Sequence, residues 1–173
     1  MRILVTGGVR SGKSRHAEEL LAEHDEVVYL AAGPVYDDAD WAARIAAHRV
    51  RRPASWTTEE TQDIAGVLDA AGQPVLVDCL GTWLSAVIDQ ASLWEAPVDQ
   101  VEEHVLGRFD LVTAALAGAG VPVVLVTNEV GLGVVPEHRS ARLFRDLLGT
   151  INQRVGAVCD EVHLVVAGRV LKI

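Results

Sequence analysis

Short runs of apolar residues alternate along this chain with longer stretches in which apolar and polar positions recur at helical spacing. The short runs are rich in valine, leucine and isoleucine and end in glycine, proline or polar residues, which is typical of buried strands. They are Arg2–Thr6, Val27–Ala31, Val75–Cys79, Val121–Thr127 and Glu161–Ala167, followed by Val170–Ile173. The stretches between them predict helices from Lys13 to Ala22, Ala39 to about Arg51, Thr57 to about Ala71, Gly81 to Gln90, Val98 to Ala119 and Glu137 to Ala157.

This alternation predicts a single α/β domain over residues 1–173, with a doubly wound and mostly parallel sheet. The last two apolar runs are separated only by Gly168-Arg169, a hairpin spacing that places the final strand antiparallel at the sheet edge. In sheets of this kind, ligands bind where the parallel strands end. The loops after residues 6, 31, 79 and 127 are therefore expected on one rim.

One of the predicted helices begins at a capping box. Thr57 precedes Glu60 by three residues, the spacing at which a threonine caps a helix and the acidic residue bonds back to the cap. Glu60 is accordingly interpreted as part of this cap. A contact from Glu60 to a ribose or a base edge is the alternative.

The segment from Gly7 to Ser14 fits the phosphate-loop pattern G-x-x-x-x-G-K-[ST] and lies between a predicted strand and a predicted helix. Its glycines allow successive backbone N–H groups to face one anion, and the helix N-terminus adds positive potential there. Lys13 would reach the β- and γ-phosphates, and Ser14 would bind Mg²⁺. The predicted nucleotide-binding residues of this loop are Gly7, Gly8, Val9, Arg10, Ser11, Gly12, Lys13 and Ser14. The motif indicates a P-loop NTPase fold, with a glycine-rich turn that binds nothing as the alternative.

Asp78 ends an apolar strand on the predicted rim, where a carboxylate can hold Mg²⁺ directly or through water. Its alternative role is to cap the helix that starts near Gly81. These two residues also form a D-x-x-G pattern, which would indicate a GTPase switch. The later strand, however, ends in Thr127-Asn128-Glu129-Val130 and lacks the guanine-reading N-K-x-D. A nucleotide switch is therefore the weaker interpretation.

The net charge of the chain and the placement of its basic residues limit the class of ligand that it can bind. The net charge of −9 argues against nucleic acid, whose binding needs a basic surface. The basic residues are nevertheless unevenly placed, and seven of the fifteen are found between residues 10 and 52: Arg10, Lys13, Arg15, Arg44, Arg49, Arg51 and Arg52. This concentration near the phosphate loop favours a small polyanion. A second series, Arg139, Arg142 and Arg145, is interpreted as a solvated or subunit-facing stripe on the last long helix.

The sequence also bears on location. No apolar run is long enough to cross a bilayer, and the first residues enter a strand without the features of a secretory signal. Cys79 and Cys159 are the only cysteines, too few for a disulfide framework. A cytoplasmic protein without a membrane span is expected.

His48 is the candidate for covalent chemistry. It shares a face of its predicted helix with Trp41 and Ile45, and arginines on the same helix could hold phosphates beside the imidazole. A neutral imidazole is a competent nucleophile toward phosphorus near pH 7. The residues alone leave open whether His48 reacts in this way or is a core histidine.

Several segments together resemble one family. They are Leu4–Glu18, Ala43–Arg49 with Arg52-Pro53 and Trp56, Val77–Leu80, Val126–Glu137 and Ile151–Arg154. Over essentially the full length, the chain resembles the bifunctional adenosylcobinamide kinase/adenosylcobinamide-phosphate guanylyltransferase family of cobalamin biosynthesis. The phosphate loop alone is shared with very many proteins, whereas its combination with the His48 helix and the Asn128–Gly131 segment is specific.

The resemblance implies two reactions. ATP or GTP first phosphorylates the aminopropanol hydroxyl of adenosylcobinamide. GMP then passes from GTP to a histidine and on to adenosylcobinamide phosphate, giving adenosylcobinamide-GDP with release of pyrophosphate. A P-loop small-molecule kinase without guanylyltransferase activity is the alternative, with His48 then structural.

Carried over residue by residue, the resemblance assigns the guanylylated histidine to His48. It assigns nucleotide contacts to the phosphate loop and to Ala31, Ala32, Gly33, Arg49, Val50, Arg51, Arg52, Glu60 and Asp78. Ser14 and Asp78 would bind Mg²⁺. A homo-oligomer, specifically a trimer, is expected from the family. A corrinoid is large for a chain of 173 residues, which suggests a corrinoid site shared between subunits.

Overall fold

The computed structural model describes residues 1–34 and 52–173. The strands are β1 (Arg2–Gly7), β2 (Val28–Ala31), β3 (Thr57–Glu60), β4 (Val75–Asp78), β5 (Val123–Val126), β6 (Glu161–Val166) and β7 (Arg169–Lys172). The helices are α1 (Lys13–Leu20), α2 (Ile64–Ala70), α3 (Leu80–Gln90), α4 (Val98–Gly118) and α5 (Arg139–Val158). The helix predicted from Ala39 to Arg51, which carries His48, lies outside the described residues.

The described strands form one sheet in the order β3-β2-β4-β5-β1-β6-β7. Neighbouring strands from β3 to β6 are parallel, and β7 pairs antiparallel with β6. The predicted α/β fold, with its mostly parallel sheet and antiparallel edge hairpin, is confirmed. The hairpin turn lies one residue earlier than predicted, at Ala167 and Gly168, whose φ values of 49° and 74° belong to a tight two-residue turn.

Helices cover both faces of the sheet. Successive strand residues point to opposite sides, so each inner strand contributes side chains to both layers. On one face, Leu4, Val77 and Leu125 belong to a buried cluster with side chains of α2, α3, α4 and α5. On the other face, the alternate residues Val5, Leu76 and Val124 pack with Ala17 of α1, with Leu21 and with Trp56. The near-continuous apolar character of the inner strands follows from burial on both faces.

The prediction that Thr57 caps a helix is wrong. Residues Thr57–Glu60 form the edge strand β3, which pairs in parallel with β2 so that Val28 lies opposite Thr57 and Ala31 opposite Glu60. An edge strand is covered less than a central one, so it can be built from polar residues that match a capping box by chance. The helix begins later, at an N-cap formed by Asp63, whose carboxylate accepts from the Gly66 N–H at 3.0 Å.

The parallel register brings the candidate residues to one rim. Asp78, the last residue of β4, lies opposite Val126 of β5, and Val126 also lies opposite Val5 of β1. The phosphate loop therefore leaves β1 just beyond the level at which β4 and β5 end. This is the rim on which the sequence places the ligand.

Candidate functional site

The phosphate loop connects β1 to α1 and is closed by a lysine that folds back across it. Gly12 is the N-cap of α1 with φ 98°, a left-handed conformation that favours glycine. The side chain of Lys13 is buried, and its Nζ donates to the Gly8 carbonyl at 3.1 Å. A buried ammonium group at a helix N-terminus gives the loop a concentrated positive potential, suited to phosphate.

Two other parts of the rim hold the loop from outside. The Gly168 N–H of the β6–β7 turn donates to the Ser11 carbonyl at 2.8 Å, and the Glu129 N–H donates to the Gly7 carbonyl at 3.1 Å. A Cβ at Gly7 would lie 2.4 Å from the Val165 carbonyl oxygen, so only glycine fits at this position. The C-terminal hairpin is thus a structural support of the phosphate loop.

Buried hydroxyl groups point to an anion in the loop. Ser11 Oγ and Thr6 Oγ1 are buried and have no hydrogen-bond partner among the described residues. Leaving such a group unsatisfied costs about 1–3 kcal/mol. A bound phosphate would supply an acceptor to Ser11, which lies inside the predicted nucleotide-binding segment.

Asp78 is held by a tyrosine on the neighbouring strand. Tyr29 OH donates to Asp78 Oδ2 at 3.1 Å. Burial, together with the charge of Asp78, raises the pKa of Tyr29 far above its usual range, so the phenol remains a donor. The guanidinium carbon of Arg52 lies 3.5 Å from the centroid of the tyrosine ring, and Arg52 also donates to Thr58 Oγ1 at 3.3 Å.

The alternative role of Asp78 as a helix cap is wrong, because the N-cap of α3 is Cys79. Thr82 Oγ1 donates to the Cys79 carbonyl at 2.9 Å, and burial raises the pKa of the Cys79 thiol. Asp78 therefore ends β4 with its carboxylate directed to the Tyr29 side. A serine hydroxyl and a carboxylate are hard oxygen donors, so Ser14 and Asp78 fit the ligand chemistry that Mg²⁺ takes beside a nucleotide.

The segment Ala31–Gly33 follows β2 on the same rim. Gln62 Nε2 donates to the Gly33 carbonyl at 3.2 Å, while Trp83 Nε1 and Gln90 Nε2 donate to the Gln62 carbonyl and Oε1 at 3.0 and 2.8 Å. Sequence reasoning missed Gln62 because it lay inside the helix predicted from Thr57. Glu60 pairs with Ala31 at the end of β3 and belongs to the rim, not to a helix cap.

Asn152 of α5 positions the segment after β5. Thr127 Oγ1 donates to Asn152 Oδ1 at 2.7 Å, and Asn152 Nδ2 donates to the Asn128 carbonyl at 3.1 Å. Glu129 Oε1 accepts from the Gly131 N–H at 2.6 Å. Two separate segments of the family resemblance, 126–137 and 151–154, therefore meet here, and the Glu129 backbone links them to the phosphate loop.

A series of hydrogen-bonded side chains connects α1 to the C-terminal hairpin. His16 Nε2 lies 2.8 Å from His163 Nδ1, and His163 Nε2 lies 2.7 Å from Glu161 Oε2. Lys172 Nζ donates to the same carboxylate oxygen at 2.7 Å. Burial, with the nearby His163, lowers the pKa of His16. No motif marks either histidine in the sequence, since their partners are distant along the chain.

The described residues bring together the phosphate loop, Ala31–Gly33, Glu60 and Asp78 on one rim, with Arg52 against Tyr29 on β2. His48, Arg49, Val50 and Arg51 lie outside the described residues. No group of three or more histidine, cysteine or acidic side chains that could hold a metal occurs within residues 1–34 and 52–173. In the same part of the chain, no helix has the length and apolar character needed for a membrane span. The arrangement can bind a nucleoside triphosphate through its phosphates.

Comparison with known proteins connects this rim to a family. The sequence profile of the family described as cobinamide kinase / cobinamide phosphate guanyltransferase matches residues 3–173. The bifunctional adenosylcobalamin biosynthesis protein CobU of Salmonella typhimurium is 41% identical over 183 residues, covering 100% of this chain and 99% of that protein. CobU of Escherichia coli is 41% identical over 181 residues, with the same coverage of both chains. The bifunctional adenosylcobalamin biosynthesis protein CobP of Pseudomonas aeruginosa is 38% identical over 172 residues, covering 97% of this chain and 94% of that protein.

The chain also aligns with a solved structure. The P4 protein from bacteriophage phi6 in complex with ADP aligns with a TM-score of 0.43 and 16% identity, over 98% of this chain and 52% of that chain. A likeness at this level carries no argument about activity. The family profile and the full-length relatives do carry one. By both criteria, the chain belongs to the cobinamide kinase / cobinamide phosphate guanyltransferase family.

Proposed function

We propose that this protein phosphorylates the aminopropanol hydroxyl of adenosylcobinamide and then transfers GMP from GTP to the resulting phosphate. The single observation that carries the proposal is the intact phosphate loop, with Lys13 buried across it, in a chain that belongs to this family over residues 3–173. Nucleotide substrates follow from the loop chemistry, and the corrinoid substrate follows from the family.

The kinase step uses the loop as a clamp on the triphosphate. Loop N–H groups and Lys13 bind the phosphate oxygens, and the Ser11 hydroxyl gains the acceptor that it lacks among the described residues. The acceptor hydroxyl attacks the γ-phosphorus; the new O–P bond forms as the bond to the β-phosphate oxygen breaks, and the hydroxyl proton passes to solvent. Mg²⁺ held by Ser14 and Asp78 would neutralise charge on the leaving oxygens.

The guanylyl transfer proceeds in two displacements. A ring nitrogen of neutral His48 attacks the α-phosphorus of GTP, forming an N–P bond while the P–O bond to pyrophosphate breaks. A phosphate oxygen of the corrinoid then attacks the same phosphorus, and the N–P bond breaks to return the free imidazole. Because the nucleotide is held covalently between the steps, pyrophosphate can leave before the second substrate reacts.

The decisive experiment is covalent labelling with GTP that carries a label at the α-phosphate. The wild-type protein should acquire an acid-labile, base-stable label, and His48→Ala should lose it. His24→Ala is the matched control, because His24 is an exposed histidine remote from the loop and should not affect labelling. Full labelling of His48→Ala would refute the assignment of the nucleophile. γ-Phosphate transfer to cobinamide without any covalent label would favour the alternative, a kinase without guanylyltransferase activity.

The quaternary state and location are proposed on the same basis. A homotrimer is proposed from the family resemblance, and sedimentation equilibrium should give three times the chain mass of 18.5 kDa. A cytoplasmic location is proposed because both reactions need nucleoside triphosphates. A tagged copy should co-fractionate with cytoplasmic enzymes.

A further inference from the structure

A groove of about 770 Å³ opens between α3, α5 and the segment after β5. Its lining includes Ser85, Trp94, Val130, Pro136, Ala141 and Phe144. Small-molecule sites typically have volumes of about 300–1,000 Å³ and combine apolar walls with a few polar groups. This rim groove has both properties, and the nucleotide chemistry proposed above does not use it.

The groove is bordered by an apolar loop that projects into solvent, Gly131–Pro136. Leu132 is 89% exposed, Val134 93% and Val135 67%. Apolar side chains exposed together in one short segment indicate a surface that is covered during function. The loop follows β5, so it extends from the same rim as the phosphate loop.

Three arginines of α5 hold the walls of the groove. Arg145 donates to the Gly131 and Val134 carbonyls at 2.8 and 2.9 Å, and Arg142 donates to the Pro136 carbonyl at 3.0 Å. On the other wall, Arg139 donates to the carbonyls of residues 94 and 96 at 2.5 Å. The stripe that the sequence indicates as a solvated or subunit-facing surface is thus engaged with the chain's own backbone, which fixes the apolar loop in its projecting position.

The groove adjoins the nucleotide site at two points. Glu129, whose N–H donates to the phosphate loop, directly precedes the lining residue Val130. Near Asp78, a Cβ placed on Gly81 would lie 3.8 Å from both Cys79 Sγ and Phe144 Cζ. The groove residue Phe144 therefore lies close to the point at which β4 ends. The groove therefore borders the nucleotide site, and its lining includes no residue of the phosphate loop.

We propose that the rim groove and the Gly131–Pro136 loop bind the corrin macrocycle of the acceptor substrate. This assignment rests on the proposed function, which requires a second site on the same rim. The acceptor hydroxyl lies at the end of a flexible aminopropanol arm, so the macrocycle must sit to one side of the γ-phosphate while the arm reaches it.

The chemistry of the groove matches that of a corrinoid. The macrocycle has broad apolar faces, which suit Phe144 and the exposed loop, and a periphery of carboxamides, which suit the Ser85 hydroxyl. The groove lining carries one carboxylate, Glu95, and one guanidinium, Arg145. Arg145 is engaged with the Gly131 and Val134 carbonyls, and the Glu95 carboxylate suits a positively charged cobalt centre. A cobinamide is larger than the groove, so the exposed loop side chains would cover the part that remains outside. A neighbouring subunit can then close the far side, as expected for a ligand of this size.

The test fills the groove. Ala141 is exposed and lines the groove, so Ala141→Trp should block it without removing a core side chain. The matched control is Ala157→Trp, also at an exposed alanine of α5 but about 24 Å further along the helix axis. Cobinamide binding is measured by equilibrium dialysis without nucleotide, using the visible absorbance of the corrinoid. We expect Kd to rise at least about tenfold (about 1.4 kcal/mol) for Ala141→Trp and to stay unchanged for Ala157→Trp.

A second variant tests the loop without entering a packed region. Leu132→Ser with Val134→Ser should weaken cobinamide binding several-fold while the affinity for GTP and the covalent GMP label stay at wild-type levels. If the double variant changes the oligomeric state and leaves cobinamide binding intact, the loop is a subunit contact and the assignment of the loop is overturned. An unchanged Kd for folded Ala141→Trp overturns the assignment of the groove.

The outcomes also separate this inference from the proposed function. Wild-type protein that neither binds nor phosphorylates cobinamide would refute both. Wild-type protein that does both, with binding unaffected in Ala141→Trp and in the double variant, would refute only the rim groove. The circular dichroism of each variant establishes that it is folded before its binding is compared.

Discussion

Replacing Gly7 by alanine should destabilise the whole protein, because the added methyl group meets backbone. The Cβ would lie 2.4 Å from the Val165 carbonyl oxygen, well inside the 3.0 Å below which such contacts essentially do not occur. Val165 pairs with Gly7 in the β1–β6 register, so its carbonyl cannot rotate away as a side chain would. Relief of the clash requires that β6 shift away from β1.

The magnitude follows from comparison with a neighbouring glycine. Inserting a methyl group where it does not fit typically costs about 1–3 kcal/mol. Alanine also restricts the unfolded chain, which works in the opposite direction by about 0.4–1 kcal/mol. Gly8→Ala carries the same unfolded-state contribution, but a Cβ at Gly8 meets nothing within 4 Å. The difference between the two variants therefore isolates the clash.

Urea denaturation of both variants provides the assay. We expect Gly7→Ala to be less stable than Gly8→Ala by about 1–3 kcal/mol. At about 2–4 °C per kcal/mol for a chain of this size, the melting temperature should differ by about 2–12 °C. Equal stability of the two variants would refute the reasoning and show that β6 can shift away from β1 without loss of stability.

Two further predictions concern the side chains around the loop. Tyr29→Phe removes one hydrogen bond to the half-buried carboxylate of Asp78 and should lower the free energy of unfolding by about 0.5–1.5 kcal/mol. Urea denaturation measures this, and wild-type stability would contradict it. The lowered pKa of His16 means that the unfolded state binds more protons than the folded state, so stability should be full above the ordinary histidine pKa of 6.5 and should fall as pH drops below it. His16→Gln can still donate to His163 and should flatten this pH dependence of stability in urea titrations from pH 8 to pH 5. The control His24→Gln should retain it. An unchanged slope in His16→Gln would show that other groups cause the pH dependence of stability.

The phosphate loop and the inner strands were predictable because their signals are local. A glycine pattern followed by lysine and serine specifies a backbone conformation within eight residues, and a run such as Val123–Val126 indicates a strand buried on both faces. The same locality explains the error at Thr57. A capping box and a polar edge strand can contain the same residue types at the same spacing, and only the pairing of β3 with β2 distinguishes them here.

The amino-acid sequence by itself determined the fold class, the phosphate loop and the family, since each is written in short patterns whose physical meaning does not depend on distant residues. Only the tertiary structure decided which side chains hold the rim together. Hydrogen bonds join Tyr29 to Asp78, Gln62 to Gly33, and His16 to His163, and the two histidines are 147 positions apart in the chain. The tertiary structure also decided that Arg139, Arg142 and Arg145 of α5 bind backbone carbonyls. Such contacts depend on how strands and helices pack, and packing follows from the burial of the whole core and not from any one segment.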